Sequence, residues 1–200
     1  QWRISCYMQY KQGVAANKID LARGEPLRTV CEPLMRQCDQ LFLRWYAEAH
    51  PCARGSERSL ERLQSFVTRY LPRAAETHLP RHIDGVNVDG SLVLGLPTEA
   101  PFGGGGLTVW DGEGEEEVFE YPLRAGDVCV LDKCVWHQSN PIESGERWVI
   151  VIFYKVVDQR VGCTAESVAA ASAGSRSKSH ARAKISRLIL EAKRASVFQS

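Results

Sequence analysis

The chain has 200 residues, 44% hydrophobic and 24% charged, a length and composition that suit one compact domain with its own core. Its formal net charge is only +1, so whole-chain electrostatics point to no nucleic acid, anionic membrane or strongly acidic partner. No run approaches the roughly 18 consecutive apolar residues of a membrane-spanning helix, and the opening Gln1-Trp2-Arg3-Ile4-Ser5 lacks the apolar core of a secretory signal.

The first helix is expected from about Leu27 to His50, where Val30, Leu34, Leu41, Phe42 and Trp45 recur at spacings of three, four and seven and His50-Pro51 ends the pattern. A second is expected to start at Ser56 or Ser59, either serine serving as N-cap, and to carry Leu60, Leu63, Phe66, Val67 and Tyr70 up to Leu71-Pro72. These helices make residues 1–73 an N-terminal helical support region. A chain that opens at Gln1 rather than at a methionine reads as a processed or excised form.

From 74 to 157 the texture changes to short apolar or alternating runs separated by Gly, Pro and acidic turns, the pattern of an antiparallel jelly roll. Strands are expected at 74–79, 91–96, 107–110, 117–121, 127–131 and 147–157, with a short one around His137. Beyond Asp158, residues 158–175 form an Ala/Ser-rich linker, and 176–200 read as a basic amphipathic helix with Ile185, Leu188, Ile189 and Ala192 on one face. That helix offers a face to the body of the protein or to a partner; nucleic acid is a conceivable partner but not the favoured one, because basic termini more often only solvate the chain.

Seven cysteines (Cys6, Cys31, Cys38, Cys52, Cys129, Cys134 and Cys163) contain no CxxC pair, so a zinc-ribbon or thioredoxin reading has no spacing to rest on. Cys129, inside Val128-Cys129-Val130-Leu131, reads as a small buried hydrophobe. Reduced thiols, and with them a cytoplasmic or nuclear setting rather than a secretory lumen, are the expectation.

The chemistry concentrates in four residues. His82 and Asp84 are separated by one residue, so on a strand both side chains leave the same face and reach one metal. His137 follows 53 residues later, a gap that accommodates several strands and returns it beside that pair in a rolled-up sheet. Two imidazoles and one carboxylate bind one face of an octahedral ion and leave positions open, the requirement of Fe(II) that must take a bidentate keto acid and dioxygen, whereas zinc favours a tetrahedral site. Ten residues on, Arg147 opens the apolar run Trp148-Val149-Ile150-Val151-Ile152-Phe153, where a buried cation is costly without an anion. A guanidinium donates two parallel hydrogen bonds to a carboxylate and so fixes its angle as well as its charge.

Other features carry blander readings. Gly103 to Gly106 is followed by no Lys-Ser or Lys-Thr and reads as an inter-strand turn rather than a phosphate cradle. Glu113, Glu115, Glu116 and Glu117 alternate with glycine before a strand and read as a solvated hairpin rather than a calcium site. His78 receives no role.

Taken together, His82-x-Asp84, Phe102-Gly103-Gly104-Gly105-Gly106-Leu107, Leu123-Arg124-Ala125-Gly126-Asp127, His137 and Gly145-Glu146-Arg147 resemble the prolyl and lysyl hydroxylase branch of the Fe(II)/2-oxoglutarate-dependent oxygenases, over about Arg81 to Tyr154. The resemblance implies a mainly β fold with flanking helices: a double-stranded β-helix (jelly roll, cupin-like) packed on the N-terminal helices. It implies Fe(II) on His82, Asp84 and His137, 2-oxoglutarate with its far carboxylate on Arg147, and ascorbate as an accessory reductant. The implied reaction decarboxylates 2-oxoglutarate to succinate and CO2 and hydroxylates an unactivated C–H bond, here of a proline or lysine in a protein or peptide. Alternatives are the same chemistry on a small molecule or nucleotide, or a catalytically silent binding subunit. Asp84 argues against the halogenating relatives, which replace the acidic ligand with a small residue. Phe153, six residues past Arg147 where base-repairing relatives carry an arginine, argues against nucleobase repair. One departure stands out: many prolyl hydroxylases place a tyrosine or threonine of the second core strand against 2-oxoglutarate, and here that strand reads Leu92-Val93-Leu94-Gly95-Leu96.

Overall fold

The computed structural model describes residues 17–21, 27–51, 56–74, 76–85, 87–111, 117–133, 135–160 and 183–187. Among these is one helix, α1 (Leu27–Ala49), and twelve strands: β1 (Asn17–Asp20), β2 (Ser56–Tyr70), β3 (Leu79–His82), β4 (Gly90–Gly95), β5 (Gly103–Gly104), β6 (Leu107–Asp111), β7 (Glu117–Tyr121), β8 (Asp127–Asp132), β9 (Trp136–Ser139), β10 (Ile142–Ser144), β11 (Arg147–Arg160) and β12 (Ala183–Arg187). The large sheet runs β1-β2-β11-β4-β8-β12, the small one β3-β9-β6-β7, and β5 pairs with β10. All pairings are antiparallel. This is the expected double-stranded β-helix, with α1 laid on the outside of its large sheet. No described helix is long and apolar enough to cross a membrane.

Alternation along the strands divides the core in two. On β11, Ile150, Ile152 and Tyr154 face α1, together with Leu92 and Leu94 of β4 and Val128 and Val130 of β8, and they pack on Met35, Cys38, Phe42 and Trp45 of the helix. The opposite residues of the same strands, among them Val93, Cys129, Leu131 and Val149, pack with Leu107 and Val109 of the small sheet. Burial pushes the Cys129 thiol up to about 12, so it stays a neutral core group.

The second expected helix is instead β2, which hydrogen-bonds β11 along its whole length, from Arg147 opposite Tyr70 to Arg160 opposite Ser56. The region 1–73 therefore supplies strands to the large sheet and not only a helical support. The helix-like spacing has a physical origin. Register slips at Leu63, since Phe153 faces Gln64 and Tyr154 faces Arg62. This bulge inverts which parity faces which side. Leu60 and Arg62 meet α1 before it and Val67 does so after it, while Phe66, Thr68 and Tyr70 turn to the other face. A strand buried on both sides and bulged in the middle thus counts like a helix.

The expected C-terminal helix is corrected as well: Ala183–Arg187 is strand β12, with Ile185 opposite Cys129 and Arg187 opposite Asp127. It pairs the edge of β8 that would otherwise present open backbone donors and acceptors. The rest of 176–200, including Leu188, Ile189 and Ala192, lies outside the described residues, as do residues 161–175 of the expected linker; 158–160 still belong to β11.

A polar knot locks α1 to the sheet. Arg62 donates to both oxygens of Asp39, at 2.6 Å from Nη2 and 2.9 Å from Nε, and to Glu32 at 2.8 Å, and the Tyr154 hydroxyl donates to Asp39 at 3.0 Å. Asp39→Ala removes the acceptor that Arg62 and Tyr154 share and leaves Arg62 with Glu32 alone. It is expected to cost about 2–3 kcal/mol, a fall in melting temperature of roughly 5–10 °C for a chain of this size. A thermal melt moved by less than about 1 °C would contradict a structural role for the knot.

Candidate metal centre

β3 and β9 pair so that His82 lies directly opposite His137, and the two imidazole centroids are 4.3 Å apart. His82 is the last residue of β3, so Asp84 sits just past the strand end rather than on it. It still converges: its Oδ1 is 3.9 Å from His82 Nε2 and 3.8 Å from His137 Nε2. One ligand atom from each of the three side chains lies within 4.8 Å of the others. His137 and Asp84 are buried and His82 is nearly so.

The tautomers follow from the hydrogen bonds. His82 Nδ1 is 2.7 Å from the Pro80 carbonyl and His137 Nδ1 is 2.9 Å from the Val135 carbonyl. A carbonyl only accepts, so each Nδ1 carries a proton and donates it, which leaves Nε2, the ring nitrogen on the Asp84 side, as the atom able to ligate a metal. Backbone carbonyls that fix ring orientation and raise ligand basicity are the usual support of metal-binding histidines. Two neutral nitrogen donors and one carboxylate, gathered on one side of an open cavity, fit a ferrous ion with free coordination positions.

Arg147 begins β11 and is 1% exposed. Its Nη1 donates to Ser139 Oγ at 2.8 Å, and its guanidinium carbon lies 5.3 Å from the Tyr70 ring centroid. Nε and Nη2 are buried with no hydrogen-bond partner. Burial holds the Arg147 pKa below the usual arginine range, with Tyr70 opposing, and burial raises that of Tyr70 while Arg147 and Ser139 pull it the other way. A buried cation with two idle donors is costly unless an anion completes it. Those donors fit the far carboxylate of a keto diacid whose other end chelates a metal at the triad.

The triad and Arg147 open into one cavity of about 500 Å³, counting its mouth, between the two sheets. Thr68 and Tyr70 of β2 line it close to Arg147, since Tyr70 is opposite Arg147 and Thr68 opposite Val149. The hydroxyls beside Arg147 thus come from β2 and not from β4: Leu92 and Leu94 point at α1, and only Val93 and Ser91 of that strand reach the cavity. Tyr70, Thr68, Ser91 and Ser139 escaped the reading of the sequence. Period-two spacing was the available signal, in Phe66-x-Thr68-x-Tyr70 and in His137-x-Ser139.

Of the glycine run expected as an inter-strand turn, Gly105 and Gly106 connect strands while Gly103 and Gly104 form β5, and the run has a further task. Gly103 and Gly104 pair with β10, and Gly105 (φ +76°) brings its backbone so near Arg147 that a Cβ there would lie 3.0 Å from Arg147 Cδ. Only glycine combines that dihedral with that approach. His78 bonds Thr77 Oγ1 at 2.7 Å and is not among the residues of the triad or cavity. Glu113, Glu115 and Glu116 lie outside the described residues.

This arrangement of donors can be compared with known proteins. Residues 65–155 match the 2OG-Fe(II) oxygenase superfamily. The matched stretch runs from the cavity-facing part of β2 to the middle of β11 and holds all four candidate residues, so the superfamily is supported by sequence as well as by donor chemistry. No curated protein matches the chain. Similar solved structures include an oxidoreductase of the 2OG-Fe(II) oxygenase family from Burkholderia pseudomallei (21% identity, 56% of this chain and 49% of that one, TM-score 0.44). A prolyl-4-hydroxylase from Pseudomonas putida is also similar (21%, 70% and 69%, 0.48), as is the non-heme alpha ketoglutarate dependent epimerase SnoN from nogalamycin biosynthesis (15%, 72% and 64%, 0.47). The chain spans about half the length of the first of these.

Proposed function

We propose that the chain is an Fe(II)- and 2-oxoglutarate-dependent dioxygenase that hydroxylates a proline or lysine within a protein or peptide. The observation that carries the reading is the pairing of the His82/Asp84/His137 triad with a buried, half-satisfied Arg147 in one cavity. A structural metal site has no need of that arginine, and a structural arginine has no need of that triad. Support for a peptidyl substrate comes from the motif ensemble around the glycine run and from the open cavity.

In this reading His82, Asp84 and His137 hold the iron through two Nε2 atoms and one carboxylate oxygen, and Arg147 pairs with the far carboxylate of 2-oxoglutarate. Bound together, the two supply oxidative decarboxylation, consuming dioxygen and yielding succinate, CO2 and a hydroxylated product. The protein's own work is to orient and to exclude. The Pro80 and Val135 carbonyls hold the imidazoles in their metal-binding tautomer. Ser139 and Tyr70 fix the guanidinium plane, leaving Nε and Nη2 aimed at the co-substrate. Val149, Val151 and Leu107 keep the walls dry, which strengthens the charge pairing made inside.

The test is succinate release with Fe(II), 2-oxoglutarate and ascorbate, with and without peptides containing proline or lysine. Slow release without peptide, stimulated by peptide, is expected. Release stimulated only by small molecules would move the substrate class, and no release with iron bound would favour a silent binding subunit.

A further inference from the structure

The cavity continues beyond the co-substrate end. On β11 its residues are Arg147, Val149, Val151 and Phe153, so Phe153 is six residues from Arg147, about 20 Å along the strand. Ser91 of β4 lies opposite Phe153. A short dicarboxylate anchored at Arg147 does not reach it. Around Ser91 the wall is apolar: Phe66 and Phe153 meet edge to face with centroids 5.6 Å apart, and Val93 and Val151 fill the space between. Ser91 is 1% exposed and is one of the residues around the cavity, and its buried hydroxyl has no hydrogen-bond partner. A buried orphan hydroxyl in an apolar wall is costly unless a ligand group meets it. Thr68, the other orphan hydroxyl, lies one rung from the Tyr70–Arg147 pair and belongs to the co-substrate end.

Charge at this end narrows the occupant. Among the described residues lining the cavity the only carboxylate is Asp84, which is turned towards the two histidines. An ammonium seated against Phe66, Val151 and Phe153 would have no counter-charge. A proline ring is neutral, has no N–H to satisfy, and is flanked by carbonyl acceptors.

We propose that Ser91 is a specificity-determining residue. Its hydroxyl donates to a carbonyl of a neutral peptide residue, proline being the best fit, seated against Phe66, Val151 and Phe153, and the same wall rejects a lysine. This rests on the oxygenase reading above and deepens it by choosing between its two substrate classes.

The experiment uses two pools of capped nonapeptides, with a central proline or a central lysine among random Ala, Gly, Ser and Gln, at sub-saturating concentration. The readout is the ratio of peptide-stimulated to uncoupled succinate release. The proline pool is expected to stimulate and the lysine pool not. In Ser91→Ala the ratio falls about 5- to 10-fold, the value of one lost hydrogen bond, and Ser91→Thr, which keeps the hydroxyl, stays within about twofold of the unsubstituted chain. Circular dichroism checks that both variants fold; if Ser91→Ala does not, the proline-against-lysine contrast and Ser91→Thr still decide. Equal or greater stimulation by the lysine pool, an unchanged ratio in Ser91→Ala, or no stimulation by either pool overturns the assignment. Absence of uncoupled release from the unsubstituted chain with iron bound strikes the oxygenase reading itself, and this inference falls with it.

Discussion

His137→Ala is expected to reduce succinate formation to background and to weaken ferrous binding by more than about 100-fold, since loss even of a supporting hydrogen bond to a metal ligand costs 10- to 100-fold. The imidazole contributes little else: its Nδ1 bond to the Val135 carbonyl contributes about 1 kcal/mol to the apo fold. The variant therefore folds, and its defect lies in ligand binding. Thermal denaturation makes this visible. A ligand at one hundred times its dissociation constant adds about 2.7 kcal/mol, roughly 5–10 °C for a chain of this length. The unsubstituted protein gains that with Fe(II) and 2-oxoglutarate together and His137→Ala does not. His78→Ala, at a histidine bonded to Thr77 and away from the triad, keeps the gain. If His137→Ala kept both the shift and the turnover, the triad would not be the metal centre.

Arg147→Met is expected to separate stability from function. Among the described residues the guanidinium has Ser139 and the Tyr70 face for company and no carboxylate. Replacing a poorly compensated buried ion by an apolar side chain of similar volume is often neutral or stabilising by 1–4 kcal/mol. The metal-free variant is thus expected to melt at or above the unsubstituted protein. Its KM for 2-oxoglutarate rises by at least about 30-fold, the lower end of what truncating one partner of a buried charge pair costs. Arg147→Lys keeps the charge but loses the fork and falls between. Melting and succinate kinetics on the same three proteins check this. A destabilised Arg147→Met with unaltered co-substrate KM would mark the arginine as structural.

Legibility in the sequence followed how local each signal was. The triad and Arg147 were readable because a short His-x-Asp spacing, one returning histidine and a cation opening an apolar strand constrain geometry strongly, and the structure brings all four side chains to one cavity. α1 was readable because Phe42 and Trp45 lie on a single buried stripe. β2 was not, because burial on both faces and a bulge at Leu63 give its apolar residues helical spacing. A helix at these positions gives no reason to set Thr68 and Tyr70 on one face beside Arg147, while the β4 position singled out by the family resemblance is occupied by residues of which Leu92 and Leu94 face α1. β1, β5 and β10 are two to four residues long, too short for periodicity to register. β12 is held by pairing with β8, a long-range interaction that outweighs the local amphipathic pattern.

The most direct measurement is an anaerobic titration of the metal-free protein with Fe(II) and 2-oxoglutarate, following bound iron by dialysis and keto-acid chelation by its visible charge-transfer band. The expected result is one ferrous ion per chain, a band that appears only when both are present, and reciprocal tightening of each by the other, as linkage between adjoining ligands requires. Failure to take up ferrous iron, or 2-oxoglutarate binding that is indifferent to the metal, would contradict a shared site.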